Sequence, residues 1–330
     1  MDIINKIFEI LVQAKNIIIT THINPDGDAI GSVVALNEFA KLKNKNTNII
    51  INDEVPYNYR FLEGWESVFK YEPEKHNLLI ENADAIFILD VNDIKRVKSL
   101  EIPILKSKAI KIVIDHHLEP KEFADYYFVD SEASSTSELI WKLLIQDDNF
   151  ECNEKIASSL YTAIMTDSGS FRYPRTDAEV HRIIADLIDF GADPVKIYNE
   201  VYNRNPINII RLLGIGYSNL ESYFDGQLCL MTLRKTDFLK TETDSNDVEG
   251  FVEELHSING VKVGILMTEI LDKDEIRVSF RSKGNISVRE IAQELNGGGH
   301  FHAAGARVSG ANFNLLKESV VQKIGKLLMI

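Results

Sequence analysis

Short apolar runs recur through the first half of the chain, separated by segments with helical spacing. Asn16-Ile17-Ile18-Ile19-Thr20-Thr21 is the first. Asn48-Ile49-Ile50-Ile51, Ala85-Ile86-Phe87-Ile88-Leu89 and the stretch 110–114 follow, and Tyr126-Tyr127-Phe128-Val129 adds a fifth. Unbroken Ile/Val runs of this kind predict strands buried on both faces, hence a parallel sheet with helices above and below. A helix is predicted over 28–43, and from 134 to 190 the pattern is helical. Ser134-Ser135-Thr136-Ser137-Glu138 offers a capping start, and Gly191 offers a stop. Two further helical stretches are split at Asn205-Pro206.

The last hundred or so residues start afresh. Strands are predicted over 227–233, 261–271 and 276–280, and helices near 247–257, 287–295 and 312–328. Residues 241–247 read as an exposed polar loop. The expected architecture is α/β. A helix-flanked, mainly parallel sheet occupies 1–190, a helical linker 191–224, and a smaller α/β domain 225–330.

Composition changes this picture only at its edges. The chain has 330 residues, 45% hydrophobic and 26% charged, which suits one or two globular domains. Its net charge of −14 argues against coating long duplex nucleic acid through phosphate contacts. A short nucleotide in a local basic pocket remains compatible with it. No apolar run reaches the roughly 18 residues that span a bilayer, and the start Met1-Asp2-Ile3 has no signal-peptide pattern. A cytoplasmic chain without membrane contact is therefore expected. Cys152 and Cys229, the only cysteines, are expected as free thiols in a reducing compartment.

The chemistry lies where the strands end. The first strand runs into Thr21-His22-Ile23-Asn24-Pro25-Asp26-Gly27-Asp28. Pro25 and Gly27 tighten that loop and turn His22, Asp26 and Asp28 toward one point. Asp28 also has an ordinary alternative role, as cap of the following helix. The third strand leads to Asp90, and the fourth to Asp115-His116-His117. In a parallel sheet all these ends share one edge, where α/β proteins bind ligands. Asp167 ends an apolar helical run, where an acid is unfavourable for the helix dipole. The donors are carboxylate and imidazole without thiolate, which suits manganese, magnesium or a similar divalent ion better than a structural zinc. His22, Asp26, Asp28, Asp90, His116 and Asp167 are enough donors for two ions. So many carboxylates need compensating positive charge. Two ions supply it, generate hydroxide near neutral pH and neutralise a phosphoryl centre under in-line attack. Hydrolysis of a phosphoester or phosphoanhydride follows.

These motifs resemble the DHH/DHHA1 phosphoesterase superfamily. The match runs from His22-x-Asn24-Pro25-Asp26-Gly27-Asp28 through Asp90, Asp115-His116-His117 and Asp167-x-Gly169 to Gly297-Gly298-Gly299-His300-x-x-Ala303-Ala304-Gly305. The layout is most similar to the stand-alone oligoribonuclease (nanoRNase)/pAp-phosphatase branch. The resemblance implies two Mn2+ ions, with Mg2+ or Co2+ as substitutes. One would be held by His22, Asp26, Asp90 and Asp167, the other by Asp28, Asp90, His116 and Asp167. It also implies that His117 faces the scissile phosphate and that Asp115 orients the histidines. The second domain would hold the substrate through Gly297, Gly298, Gly299, His300 and an arginine such as Arg281. Arg277, Arg281, Lys283 and Arg289 form a local positive stretch in an acidic chain, although a solvated strand face would look the same.

The leading expectation is hydrolysis of very short RNA and of 3′-phosphoadenosine 5′-phosphate (pAp), with the small domain closing over the ligand. A phosphodiesterase acting on pApA or cyclic di-AMP uses the same cluster and differs only in the clamp. Inorganic pyrophosphatase and processive DNA exonuclease activities fit less well. A non-catalytic nucleotide-binding regulator would not need all six ligands. The expected partners are short single-stranded RNA or nucleotides, with a homodimer as an admissible assembly. Tyr57, Tyr59 and Phe61 read as packing ahead of base stacking, and His76, His181 and His256 carry no assigned role.

Overall fold

The computed structural model describes residues 3–328. The chain divides into two compact units, Met1–Arg204 and Asn205–Ile330. No helix among the described residues is long and apolar enough to cross a membrane.

The first unit begins with α1 (Ile3–Gln13), β1 (Asn16–Thr20), α2 (Gly27–Leu42), β2 (Asn46–Ile51) and β3 (Val68–Lys70). It continues with α3 (Pro73–Glu81), β4 (Ala85–Leu89), α4 (Glu101–Lys106), β5 (Ile110–Asp115) and β6 (Tyr126–Val129). Four helices close it: α5 (Thr136–Leu144), α6 (Glu154–Asp167), α7 (Ala178–Asp189) and α8 (Pro194–Tyr202). The strand order is β3-β2-β1-β4-β5-β6, and every pairing is parallel. Alternate residues of the Ile runs feed opposite cores. Ile17, Ile19, Phe87, Ile112 and Ile114 pack with α2, α5 and α6. Ile18, Ile50, Ile86, Ile88 and Val113 pack with the layer around Ile80, Val97 and Ile104. β1 pairs with β2 on one side and β4 on the other. The connections therefore leave β1 and β4 in opposite directions, and a crevice opens beyond their carboxyl ends.

All five strands predicted in this half are present, each within two residues of its expected bounds. β3, a three-residue edge strand, has too little pattern to read. α1 also went unpredicted, although Ile3, Ile7, Ile10 and Leu11 carry a helical period.

Helix α2 is the structural hinge of the site. Thirteen of its residues are buried, because it lies between the sheet and α5/α6. A Cβ at Gly27 would lie 2.2 Å from Thr166 Oγ1, and one at Gly31 2.4 Å from the Ser159 carbonyl and 2.7 Å from Ala163 Cβ. Two glycines one turn apart thus let α2 lie directly on α6. That contact brings the start of α2 to the end of α6.

The second unit comprises α9 (Ile207–Ser218), β7 (Glu221–Tyr223), β8 (Leu228–Leu233), α10 (Lys235–Thr241), α11 (Phe251–Glu254) and β9 (Val263–Glu269). β10 (Glu275–Ser282), α12 (Arg289–Glu294), β11 (Gly298–Gly299), β12 (Ala303–Ser309) and α13 (Phe313–Leu328) complete it. Its sheet has the order β11-β12-β10-β9-β8-β7. Only β8 and β9 run parallel; the others pair antiparallel. The segment expected to be an exposed loop, 241–247, is partly buried. Thr241, Thr243 and Ser245 point inward, Thr241 and Thr243 share a hydroxyl contact, and Arg277 binds the Ser245 carbonyl. Its polar residues are satisfied locally, so composition alone misplaced them at the surface.

Candidate metal centre

Each donor arrives at the crevice by a different local device. Asp26 is the N-cap of α2, its carboxylate accepting the Ala29 N–H at 3.0 Å. The capping role allowed to Asp28 therefore belongs to Asp26. Asp28 reaches across instead to the amino end of α5, accepting Thr136 N–H at 2.7 Å and Ser137 N–H at 3.0 Å. Ser32 adds its hydroxyl at 3.3 Å. Asp90 follows β4, and its N–H continues the ladder to the Ile114 carbonyl. Its backbone then turns left-handed at φ +61, a conformation that costs a non-glycine residue about 1–3 kcal/mol and concentrates at functional sites. Asp167 is the last residue of α6, and the backbone turns left-handed at Gly169, Ser170 and Phe171 just beyond.

The two central imidazoles are oriented alike. His22 Nδ1 donates to the Ile23 carbonyl at 2.7 Å, and His116 Nδ1 to the Ala133 carbonyl at 3.3 Å. A carbonyl only accepts, so these contacts place the proton on Nδ1 and turn Nε2 inward. His22 Nε2 lies 3.0 Å from Asp90 Oδ2 and 3.9 Å from Asp26 Oδ2. His116 Nε2 lies 3.2 Å from Asp167 Oδ2, 3.7 Å from Asp90 Oδ1 and 3.9 Å from Asp28 Oδ2. Lone pairs thus face carboxylates, an arrangement that needs a proton or a cation between them. Three donor groups close enough to share an ion result: His22-Asp26-Asp90, Asp28-His116-Asp167 and Asp90-His116-His117.

Electrostatics point the same way. Asp28 is 1% exposed. Burial, and then the charges of Asp90 and Asp26, push its carboxyl well above the usual range, against the two α5 N–H donors. Asp167 keeps 31% of its side chain open. Burial and then Asp28, Asp26 and Asp90 push it upward too. Burial opposes ionisation of Asp90 as well, but the His117 and His22 contacts outweigh it and hold this carboxyl well below the usual range. For His22 the downward pull of burial is overcome by the Asp90 hydrogen bond and neighbouring acids. For His116 burial wins, and the ring is held low. A site whose burial and acids push the carboxyls of Asp28 and Asp167 toward the neutral form is short of positive charge, and divalent cations fit it.

His117 stands apart. Its Nδ1 lies 2.7 Å from Asp115 Oδ1 and 3.2 Å from Asp90 Oδ1. Burial lowers its pKa, but the Asp90 charge and the Asp115 hydrogen bond outweigh that and raise it to about 10. Asp115 is fully buried at the end of β5. Arg96 Nη1 lies 3.2 Å from His117 Nε2. The sequence reading missed Arg96 because it sits in a 3-10 segment without a periodic pattern. It also missed Thr136, whose hydroxyl donates to Asp90 Oδ1 at 3.2 Å.

In the second unit, Arg281 is engaged by Glu253 Oε1 through Nε at 2.8 Å and Nη2 at 2.7 Å. Gly297 N–H binds the Ala292 carbonyl and His300 N–H the Ala303 carbonyl. Gly298 and Gly299 pair with Gly305 and Ala304. The glycine run is thus a strand edge closing a hairpin rather than an open turn. Tyr59 is buried in the core with Phe61 packed against it, and Tyr57 is exposed.

Comparison with known proteins follows the same division. Residues 16–164 match the DHH family, N-terminal domain, and residues 226–326 match the DHHA1 domain. A protein of Thermus thermophilus named bifunctional oligoribonuclease and PAP phosphatase NrnA is 30% identical over 308 residues, covering 93% of this chain and 89% of its own. The Bacillus subtilis protein of the same name is 28% identical, covering 88% and 89%. The crystal structure of an exopolyphosphatase-related protein from Bacteroides fragilis superimposes with a TM-score of 0.94 at 33% identity, covering 99% of this chain and 98% of that one.

Proposed function

Because this chain belongs to the DHH family, with a DHHA1 domain behind the DHH domain, we propose that it is a phosphoesterase that hydrolyses short RNA oligonucleotides and pAp. The observation that carries the metal-dependent chemistry is the inward-facing Nε2 of His22 and His116, each fixed by a backbone carbonyl and aimed at carboxylates. The relatives named oligoribonuclease and PAP phosphatase, matched over most of their length, support the substrate class.

In this reading His22, Asp26, Asp90 and Asp167 would hold one divalent cation, and Asp28, Asp90, His116 and Asp167 a second, manganese by preference. Bound there, the cations would neutralise the phosphoryl group and activate the attacking water. The chain's own part is positioning. The bonds from Asp28 to Thr136 and Ser137 keep its carboxylate fixed between α2 and α5. Asp115 holds His117 through Nδ1, and Arg96, which approaches the Nε2 edge, would be the group that donates to a phosphoryl oxygen beside it. Burial of this wall strengthens such donors relative to water. In the second domain, Arg281, Gly297, Gly298, Gly299 and His300 would hold the nucleotide.

The test is a substrate panel with manganese, resolving products by length. RNA dimers to pentamers and pAp are the expected substrates, against pApA, cyclic di-AMP and polyphosphate. Faster turnover of cyclic di-AMP or polyphosphate than of RNA dimers and pAp would replace this assignment. The same panel with magnesium or cobalt ranks the metals.

A further inference from the structure

Cross-strand register in the second unit places two arginines side by side. Arg277 of β10 pairs directly with Arg307 of β12, Ser279 with Gly305, and Arg281 with Ala303. Directly opposed residues share a face of the sheet. The alternating burial of β10 puts Ile276, Val278, Phe280 and Ser282 on the inner side and Arg277, Ser279 and Arg281 on the other. Burial and then the Arg307 charge hold Arg277 below the usual arginine range, so the two guanidinium groups act on each other. Like charges directly opposed across a ladder are unfavourable.

The two side chains are not equivalent. Arg277 is committed to the protein, binding the Ser245 carbonyl at 3.2 Å and Asn246 Oδ1 at 3.1 Å. Arg307 is exposed, and among the described residues its guanidinium has no carboxylate within ion-pair distance, even though acids outnumber bases 50 to 36 in this chain. Beside it the face is low: Gly305 and Ala303 precede Arg307 along β12, and Gly305 pairs with Gly298 of the β11 edge. A Cβ on Gly298 would meet nothing within 4 Å, and its φ is not positive. Packing gives no reason for glycine there, whereas a ligand lying against the backbone does.

We propose that Arg307, backed by Arg277 and Ser279, is a phosphate subsite for the distal part of a single-stranded oligoribonucleotide. Four residue steps along β10 separate the Arg277/Arg307 pair from the Arg281/Ala303 pair, about 13 Å. That is the scale of an oligonucleotide rather than of one nucleotide. A ligand anchored at Arg281 must therefore be longer than one nucleotide to engage Arg307, so the subsite favours length. The identity of the ligand rests on the hydrolase reading above; the placement of the arginines does not.

The experiment separates the two. Binding of a fluorescein-labelled RNA pentamer to the full chain is measured by anisotropy in EDTA, without turnover, over a range of salt. Arg307→Ala is expected to weaken binding severalfold and to lower the slope of log affinity against log salt by about 0.7, the loss of one single-strand phosphate contact. Arg307→Lys should keep most of the slope. Turnover is then compared with manganese: KM for the pentamer should rise in Arg307→Ala, with KM for pAp and for an RNA dimer unchanged. Equal pentamer binding by wild type and Arg307→Ala, or an equal loss for pentamer and pAp, overturns the subsite. Arginine-dependent pentamer binding by a chain that hydrolyses neither RNA nor pAp overturns the hydrolase reading and leaves the subsite standing.

Discussion

The Asp28 carboxylate accepts the backbone N–H of Thr136 at 2.7 Å, so a side chain in the first turn of α2 satisfies the first turn of α5. A residue that sequence would spend on capping its own helix instead joins two helices and faces His116. Asp28→Asn retains one acceptor and removes the buried charge. The metal-free variant should melt at or above the wild-type temperature. At cation concentrations one hundred times the wild-type dissociation constant, wild type should gain about 2.7 kcal/mol and the variant much less. Equal cation-induced shifts in thermal melts would remove Asp28 from the ligand set.

Cation uptake should release protons. The carboxyls of Asp28 and Asp167 are raised, so the metal-free folded chain binds more protons than the unfolded chain above the ordinary carboxylate range. Its stability from these groups is therefore greatest at low pH and falls as pH rises through their raised folded values. A bound cation takes the protons' place, so its stabilising effect should grow with pH across that window. Calorimetric titration of manganese in two buffers of different ionisation enthalpy reads the proton count directly. Uptake rather than release would contradict the assignment.

Arg96 touches His117 through Nη1, and its charge also acts on His22. Arg96→Ala should lower kcat/KM for pAp by about a hundredfold, the scale for removing one oriented donor. The manganese-induced melting shift should stay at its wild-type size. Loss of that shift would instead make Arg96 part of the metal centre's scaffold.

Two neighbouring glycines should behave oppositely. Gly299 has φ +139, and a Cβ there would lie 2.4 Å from the Ala303 carbonyl. Gly299→Ala should destabilise the second unit by about 1–3 kcal/mol, visible in urea unfolding. Gly298→Ala should unfold like wild type and raise KM. An unchanged KM would leave Gly298 without a ligand role.

Legibility followed the physics of each element. The Ile runs of β1, β2, β4 and β5 were readable because strands buried on both faces tolerate little else. β12 was not, because Ala303-Ala304-Gly305 carries too little apolar surface to register as a strand. The donors His22, Asp90 and His116 were visible as polar residues at the ends of apolar strands. Thr136 and Arg96 were not, since one acts through a backbone N–H and a hydroxyl far along the chain, and the other lies in an aperiodic 3-10 turn. The GGGH run was legible as a special backbone. Its form as a strand edge depends on Gly305 and Ala304, whose pairing no local pattern reveals.

Gly27 and Gly31 have a further consequence, for the order in which the molecule is made. They let α2 rest on α6, but α6 ends at Asp167, 139 residues after Asp28. A nascent chain carries His22, Asp26 and Asp28 early, meets Asp90, His116 and Thr136 next, and gains Asp167 only when α6 has emerged. The candidate donor cluster is thus completed near the end of the first unit's synthesis. Until then the two glycine steps on α2 lack the α6 surface that they fit, so the last donor and the closest helix contact arrive together.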